Sequence, residues 1–435
     1  MIPVVIIAGG RGTRLAGISN GLPKSLMPIG GRPLIEHQLA ALRREGVREI
    51  TMLVGYGASL IKDHCGSGER YGVSIKYVQE PSPLGTAGAL AQLRGRFNRD
   101  FLVVYGDLLF DLNLAPIQAY HHARGALATL VAHPNDHSAA SDLLQTDAAG
   151  RVTAWFPKHQ RGREFHHNLV NAGVYVCSPA FLDYLATSTQ HLSDLGREVF
   201  PTLLTRGAPL YAYRTSEYIN DMGTSEEQYR RVERQHAQGL PGALSSRHPR
   251  RPVFLDRDGT INLKTGFVSS PDQFTLATGA AQGIRKLNDA GFLAICVTNQ
   301  SVIARNLCDE ATLDVIHKKM ETLLGAQGAH LDALYYCPHH PDRGFPGERA
   351  EYKVPCECRK PNIGMFKAAC EEFNIDFAQS YTVGDAPSDI EAGVRAGTKT
   401  LYIGDWHGDA NGVKLPDGIC GSLGEAAEWI LAHDH

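Results

Sequence analysis

The chain has 435 residues, 43% of them hydrophobic and 20% charged, with a formal net charge of -3 at pH 7. That length exceeds one ordinary domain and calls for two or three. The near-neutral balance gives no general attraction to nucleic acid or an anionic membrane, and no apolar run reaches the roughly 18 residues of a membrane span. Nine cysteines are scattered except for Cys337, Cys356 and Cys358. This usage suits a reducing cytoplasm with one thiolate metal site better than a disulfide scaffold.

The opening MIPVVIIAGGRGTR is apolar but short and ends in glycines, so it reads as a first strand rather than a signal peptide. Pro3 to Ala8 is expected as a buried strand that feeds GGRGTRL. Gly9, Gly10 and Gly12 would let backbone N–H groups approach a polyphosphate, and Arg14 would bring positive charge to it. Lys24, ten residues beyond Arg14, can add a second cation. The pattern is neither GxGxxG nor the GxxxxGK[ST] loop, and an isolated glycine turn is the alternative.

GGRGTRL followed by PKSLMPI and GRPLI resembles the sugar-1-phosphate nucleotidylyltransferases, and the likeness runs over residues 1 to 234. EPSPLGTAGAL, with Gly85 and Thr86, resembles the base-holding loop of the guanylyltransferase-like members. VVYGD, WFPK, NAGVYV and DMGTSEEQYRR place Asp107, Lys158, Asn171 with Gly173, and Asp221. The resemblance implies that a sugar phosphate attacks a nucleoside triphosphate, preferably GTP, and expels pyrophosphate. Asp107 and Asp221 would be Mg²⁺ ligands, since hard oxygen donors suit that ion. Arg14 and Lys24 would neutralise the triphosphate, Lys158 would hold the acceptor phosphate, and Asn171 with Gly173 its sugar. Pro157 stands where many relatives carry Glu.

Residues 236–251, HAQGLPGALSSRHPRRP with its final Pro252, have Pro, Gly and Ser without hydrophobic periodicity and are expected as an exposed linker. Val253 to Leu255 then form an apolar run of strand length that stops on Asp256, with Asp258 two residues on and Gly259 able to turn the chain. Such a strand puts both carboxylates at the carboxyl edge of a sheet, where open α/β folds bind ligands. An acidic turn is the plainer alternative. LAICVTNQS places Thr298, Asn299, Gln300 and Ser301 after a second buried strand, CRKP supplies Arg359 and Lys360, and YTVGDAPSD ends a further strand at Asp385.

This ordered set resembles the haloacid dehalogenase-like phosphatases. It implies Asp256 as nucleophile, Asp258 as general acid and base, and Mg²⁺ held by Asp256, the carbonyl of Asp258, and Asp385. Thr298 and Asn299 would meet the phosphoryl group, with Gln300 and Ser301 beside them, while Lys360 supplies a fixed cation and Arg359 a fork for substrate. Asp389 is expected either behind Asp385 or as a helix N-terminal acid. CPHHP with CECRKP offers Cys337, His339, Cys356 and Cys358, enough for a closed, structural Zn²⁺ site, with His340 the alternative ligand.

With that loop the carboxyl-terminal half resembles the D-glycero-D-manno-heptose 1,7-bisphosphate 7-phosphatases, although Val302 and Ala386 replace a usual glycine and lysine. The expected fold is α/β with two Rossmann-like domains: a nucleotidyltransferase mixed sheet over 1–235, a linker over 236–251, and a haloacid dehalogenase-like parallel sheet with a zinc loop over 252–435. The joined resemblance implies one cytoplasmic enzyme that removes the 7-phosphate and then activates heptose 1-phosphate. Its expected partners are sugar phosphate and nucleoside triphosphate, with no nucleic acid and no membrane, and a homo-oligomer left open. The alternatives are a mannose-1-phosphate guanylyltransferase fused to a histidinol-phosphatase-like domain, and a non-catalytic sugar-nucleotide-binding regulator.

Overall fold

Alternation along Val4–Ala8 organises the first unit of the computed structural model, which describes residues 2–10, 16–19, 21–159, 161–162, 164–187, 193–223, 225–344, 346–406 and 414–434. Val4, Ile6 and Ala8 share one buried cluster with Ile50, Met52 and Val54, while Val5 joins another with Leu53 and Val103. A strand covered on both faces belongs in the middle of a sheet. It pairs in parallel with Glu49–Val54 on one side and Phe101–Tyr105 on the other. Ser74–Gln79 continues the parallel part. Beyond Phe101–Tyr105, Val170–Cys177 enters antiparallel and carries Ala128–His133 and then Leu210–Arg214. The sheet is therefore mixed, as expected.

This unit comprises residues 1–133, 142–160 and 169–245, and the second comprises 134–141, 161–168 and 246–435. The second is built on six parallel strands in the spatial order Ala333–Cys337, Leu293–Asn299, Pro252–Leu255, Tyr381–Gly384, Lys399–Ile403, Gly418–Cys420. The order of the chain reverses between Pro252–Leu255 and Tyr381–Gly384, which makes that gap the switch point where open α/β sheets bind ligands. Val253 and Leu255 face one cluster with Ile284, Leu287 and Ile430, while Phe254 turns the other way onto Phe366, 4.5 Å between ring centroids.

The stretch expected as an exposed linker is buried at several points. Leu240 lies in a core cluster of the first unit, and Ser245 and Arg250 are also buried. Arg250 donates Nε to the Phe373 carbonyl at 2.8 Å and lies over the Phe373 ring, while Arg251 covers Phe292. Guanidinium planes stack on aromatic faces, so these two arginines serve packing and are not a solvated charge run.

The segments 134–141 and 161–168 are held in the second unit by polar contacts. Asn135 and Asn168 exchange backbone-to-side-chain hydrogen bonds. His167 is bracketed by two acids of the helix Glu310–Gly325: Nε2 lies 2.8 Å from Asp314 and Nδ1 2.9 Å from Glu321. Burial works against the imidazolium, but the two carboxylates outweigh it and lift His167 to about 9. A pKa raised on folding stabilises fully below the unfolded value of roughly 6.5 and is lost as pH climbs through the folded value. His167→Gln should therefore lower the unfolding free energy most at pH 6, by about 1 kcal/mol for so exposed a pair, and hardly at all at pH 10. Thermal melts at the two pH values check this, and equal losses would contradict it.

Candidate active sites

In the second unit, Asp256 follows the last residue of Pro252–Leu255, and its N–H donates to the Val383 carbonyl at 2.9 Å, fixing it beside the neighbouring strand. Lys360 reaches the same point from a loop. Its buried ammonium contacts Asp256 Oδ1 at 2.7 Å, Asp389 Oδ1 at 2.8 Å and the Val297 carbonyl at 2.6 Å. Asn299 holds that loop reciprocally, donating to the Lys360 carbonyl at 3.1 Å and accepting its N–H at 3.0 Å. Burial alone would pull the lysine down, but Asp256 and Asp389 hold it above its ordinary range, so it stays charged. Burial also raises Asp256, with Lys360 opposing and Asp389 adding to the rise.

Asp256, Asp385 and Asp389 bring carboxylate oxygens within 4.8 Å of one another, a donor set that suits a hard divalent cation. The third acid of this cluster is Asp389 rather than Asp258. Asp389 also caps the helix Pro387–Ala396, accepting the Ala386 N–H at 3.0 Å, which is the helix N-terminal role expected for it. The Asp258 carboxylate turns instead to Arg257, at 2.8 and 2.9 Å, and to Gln300, at 2.8 Å. Gln300 also donates to Thr298 Oγ at 2.9 Å. Ser301 is buried nearby in the chain, and Arg359 donates to the His339 carbonyl at 3.0 Å. Lys264 contacts Asp385 at 2.6 Å.

Arg257 was not anticipated as a site residue. It is fully buried, and its Nη1 lies 3.3 Å from His317 Nε2. Burial, then Arg257, drives the His317 pKa well below the usual histidine range, so a neutral imidazole faces the guanidinium. The signal available was a cation between two acids at the end of an otherwise apolar strand.

Cys337, His339, Cys356 and Cys358 form a second cluster in this unit. The sulfurs lie 3.1 to 3.5 Å apart, and His339 Nδ1 is 3.6 Å from Cys337 and 3.5 Å from Cys358. A tetrahedron with metal–sulfur bonds of about 2.3 Å has edges near 3.8 Å, so the donors fit with small outward shifts. His340 stands outside, its Nδ1 accepting the Asp342 N–H.

In the first unit the strand Val4–Ala8 ends at Gly9 and Gly10, which line a cavity of about 360 Å³ with Gly55, Tyr56, Glu80 and Thr86. Gly12 and Arg14 lie outside the described residues. Gly85 has φ +70, and a Cβ there would strike the Ser193 carbonyl, so only glycine opens the helix Gly85–Ala91 in this way. Thr86 Oγ accepts the Leu195 N–H at 2.9 Å. Glu80, also unanticipated, accepts the Leu84 N–H at 3.0 Å and shapes the cavity floor against Gly9.

Asp107 and Asp221 meet across a short ladder: Asp221 pairs with Leu108, and the Met222 N–H donates to the Asp107 carbonyl at 2.8 Å. Lys24 contacts Asp107 at 3.0 Å, and Gln228 donates to Asp221. Asp142 ties two further expected residues together, its carboxylate accepting the Lys158 N–H at 3.0 Å and its carbonyl the Asn171 N–H at 3.2 Å. Asn171 donates to the Tyr175 hydroxyl at 3.0 Å and leaves its own Oδ1 buried without a partner. Gly173, at φ +75, lies against the Tyr105 ring, where a Cβ would stand 3.0 Å from it.

The family model for nucleotidyl transferases matches residues 3–238, and one described as HAD-hydrolase-like matches residues 357–425. The D-glycero-beta-D-manno-heptose-1,7-bisphosphate 7-phosphatase of Yersinia pestis is 41% identical over 182 residues, covering 41% of this chain and 95% of that protein. The Haemophilus ducreyi enzyme of the same name is 43% identical over 155 residues, covering 35% and 82%. The solved structure of HddC from Yersinia pseudotuberculosis matches with a TM-score of 0.46 at 23% identity, over 54% of this chain and all of that one.

Gly259 is the sharpest steric constraint of the second unit's cleft: it has φ +94, and a Cβ there would run into the Asp385 carboxylate. Gly259→Ala should destabilise the second unit by about 1–3 kcal/mol, read as a fall in the denaturant midpoint of its unfolding. An unchanged midpoint would refute the constraint.

Proposed function

Because the chain belongs to the nucleotidyl transferase family over its amino-terminal half and to the D-glycero-beta-D-manno-heptose-1,7-bisphosphate 7-phosphatases over its carboxyl-terminal half, we propose that it carries out consecutive steps in making a nucleotide-activated heptose. The observation that carries the reading is the buried contact of Lys360 with Asp256 at the switch point, beside Asp385 and with Asp258 two residues away. Asp256 attacks the 7-phosphorus, the phosphorus–oxygen bond to the sugar breaks, and Asp258 gives its proton to the departing O7. Water then attacks the aspartyl phosphate, returns a proton to Asp258 and frees inorganic phosphate. Arg257 and Gln300 hold the Asp258 carboxylate, while Thr298 and Asn299 receive the phosphoryl oxygens and Lys360 supplies a fixed cation beside Asp256. Mg²⁺ bound by Asp256, Asp385 and the Asp258 carbonyl would offset the repulsion between carboxylate and phosphate.

In the first unit the phosphate of heptose 1-phosphate attacks the α-phosphorus of GTP and pyrophosphate leaves. No protein nucleophile is needed, so the work is positioning and charge neutralisation. Gly9, Gly10, Gly12, Arg14 and Lys24 hold the triphosphate, and Gly85 with Thr86 the base. Lys158 takes the acceptor phosphate, and Asn171 with Gly173 its sugar. The unpartnered Asn171 Oδ1 supports this, since a buried carbonyl oxygen is costly until a hydroxyl donates to it. Asp107 and Asp221 would hold Mg²⁺. We assign a structural Zn²⁺ to the Cys/His cluster and a cytoplasmic setting to the chain, in keeping with nine cysteines of which none is in a disulfide. No helix among the described residues is long and apolar enough to cross a membrane.

The functional reading is tested by supplying heptose 1,7-bisphosphate, Mg²⁺ and each nucleoside triphosphate while following phosphate and pyrophosphate. Asp256→Asn should cut phosphate release about a thousandfold or more and leave pyrophosphate release from heptose 1-phosphate intact, and Asp107→Ala should do the reverse. Pyrophosphate formed from mannose 1-phosphate but not from heptose 1-phosphate would overturn the acceptor. For the zinc, elemental analysis should find about one ion per chain, with Cys358→Ser losing it together with several degrees of thermal stability. A metal-free native chain would refute that assignment.

A further inference from the structure

At the opposite end of the first unit's sheet lies a second cavity, of about 410 Å³, which neither reaction uses. Its walls come from Glu49 and Ser74, the first residues of their strands, from Pro3 ahead of Val4–Ala8, and from the turn 96–99. The cavity beside Gly9, Gly55 and Glu80 lies where the same strands finish, about 16 Å away at roughly 3.3 Å per residue. The two are therefore separate sites.

Lys76, Arg96 and Arg99 converge on this far cavity, against one carboxylate, Glu49. All three cations are exposed, and none has an ion-pair partner among the described residues. Three unpaired cations gathered at one concavity of an otherwise slightly acidic chain make a local positive potential that draws anions. Arginine forks match phosphate oxygens two at a time. Phe97, half-buried and stacked on Phe101 at 4.9 Å, adds an aromatic face, and Asn98 an amide. The volume is that of a small-molecule pocket, within roughly 300–1,000 Å³. We propose that this cavity is a binding site for a phosphorylated small molecule, with Lys76, Arg96 and Arg99 holding its phosphates.

Hydrogen–deuterium exchange of the full chain without added Mg²⁺, titrated with inorganic pyrophosphate and separately with GDP, tests the site. Amides of 74–76 and 96–99 should be protected in the wild type, with Arg96→Gln/Arg99→Gln raising the half-protecting concentration about tenfold or more. The same protection should survive in Lys24→Gln, which separates this site from the one proposed for the triphosphate. GDP acting at lower concentration than pyrophosphate would assign the Phe97 face to a base, and equal potency would assign phosphates alone; both support the site. No protection of 96–99 by millimolar ligand, or protection undiminished by the double substitution, would overturn it.

Discussion

One buried ammonium organises the second unit. Two carboxylates brought to the same point at a sheet edge repel one another and lose hydration, a penalty of several kcal/mol per ion even after relaxation. Lys360 offsets it by touching Asp256 and Asp389 at once and spending its third donor on the Val297 carbonyl. With all three donors satisfied, one ammonium partners both acids at the sheet edge. The arrangement asks for a lysine held to within a few tenths of an ångström by a loop with little regular structure. Asn299 supplies one tether through its reciprocal bonds to Lys360, and the Cys/His cluster, which ends two residues earlier at Cys358, supplies the other.

The same geometric logic recurs in the first unit with different chemistry. Parallel strands ending together leave a row of glycines and carbonyls at one edge, and Gly9 and Gly55 approach so closely there that a Cβ on Gly55 would stand 3.0 Å from the Gly9 carbonyl. Acids at that edge are not shielded by a buried lysine. Asp107 stays partly exposed, with Lys24 beside it at 3.0 Å. The contrast between the units fits the proposed reactions, in which the nucleophile comes from the protein in one unit and from the substrate in the other.

Much of this was legible in the sequence because strand ends are. A run such as Val253 to Leu255 that halts on Asp256 gives both burial and direction, and the pairing of C-x-H with C-x-C singled out four side chains that the fold then brought within 4.8 Å. What stayed hidden has no period to reveal it. Arg257 reads as an ordinary charge until the fold buries it against Asp258 and His317. The arginines at 250 and 251 read as solvated until aromatic rings cover them. Residues 134–141 and 161–168 join the second unit through asparagine and histidine hydrogen bonds rather than an apolar stripe, and such contacts leave no mark on hydrophobic patterning.

The departures from the family pattern are absorbed by the backbone rather than by new side-chain chemistry. Ala386 replaces a usual lysine, yet the atom that matters there is its N–H, which Asp389 accepts at 3.0 Å whatever the side chain. Val302 replaces a glycine and is buried against Ile303 and Leu313, so it adds apolar area to a small cluster under the loop. Pro157 removes an acid before Lys158, and the Asp142 carboxylate accepts the Lys158 N–H at that same point. At Ala386 and Pro157 a residue type changed while the neighbouring backbone is held by hydrogen bonds the substitution does not touch.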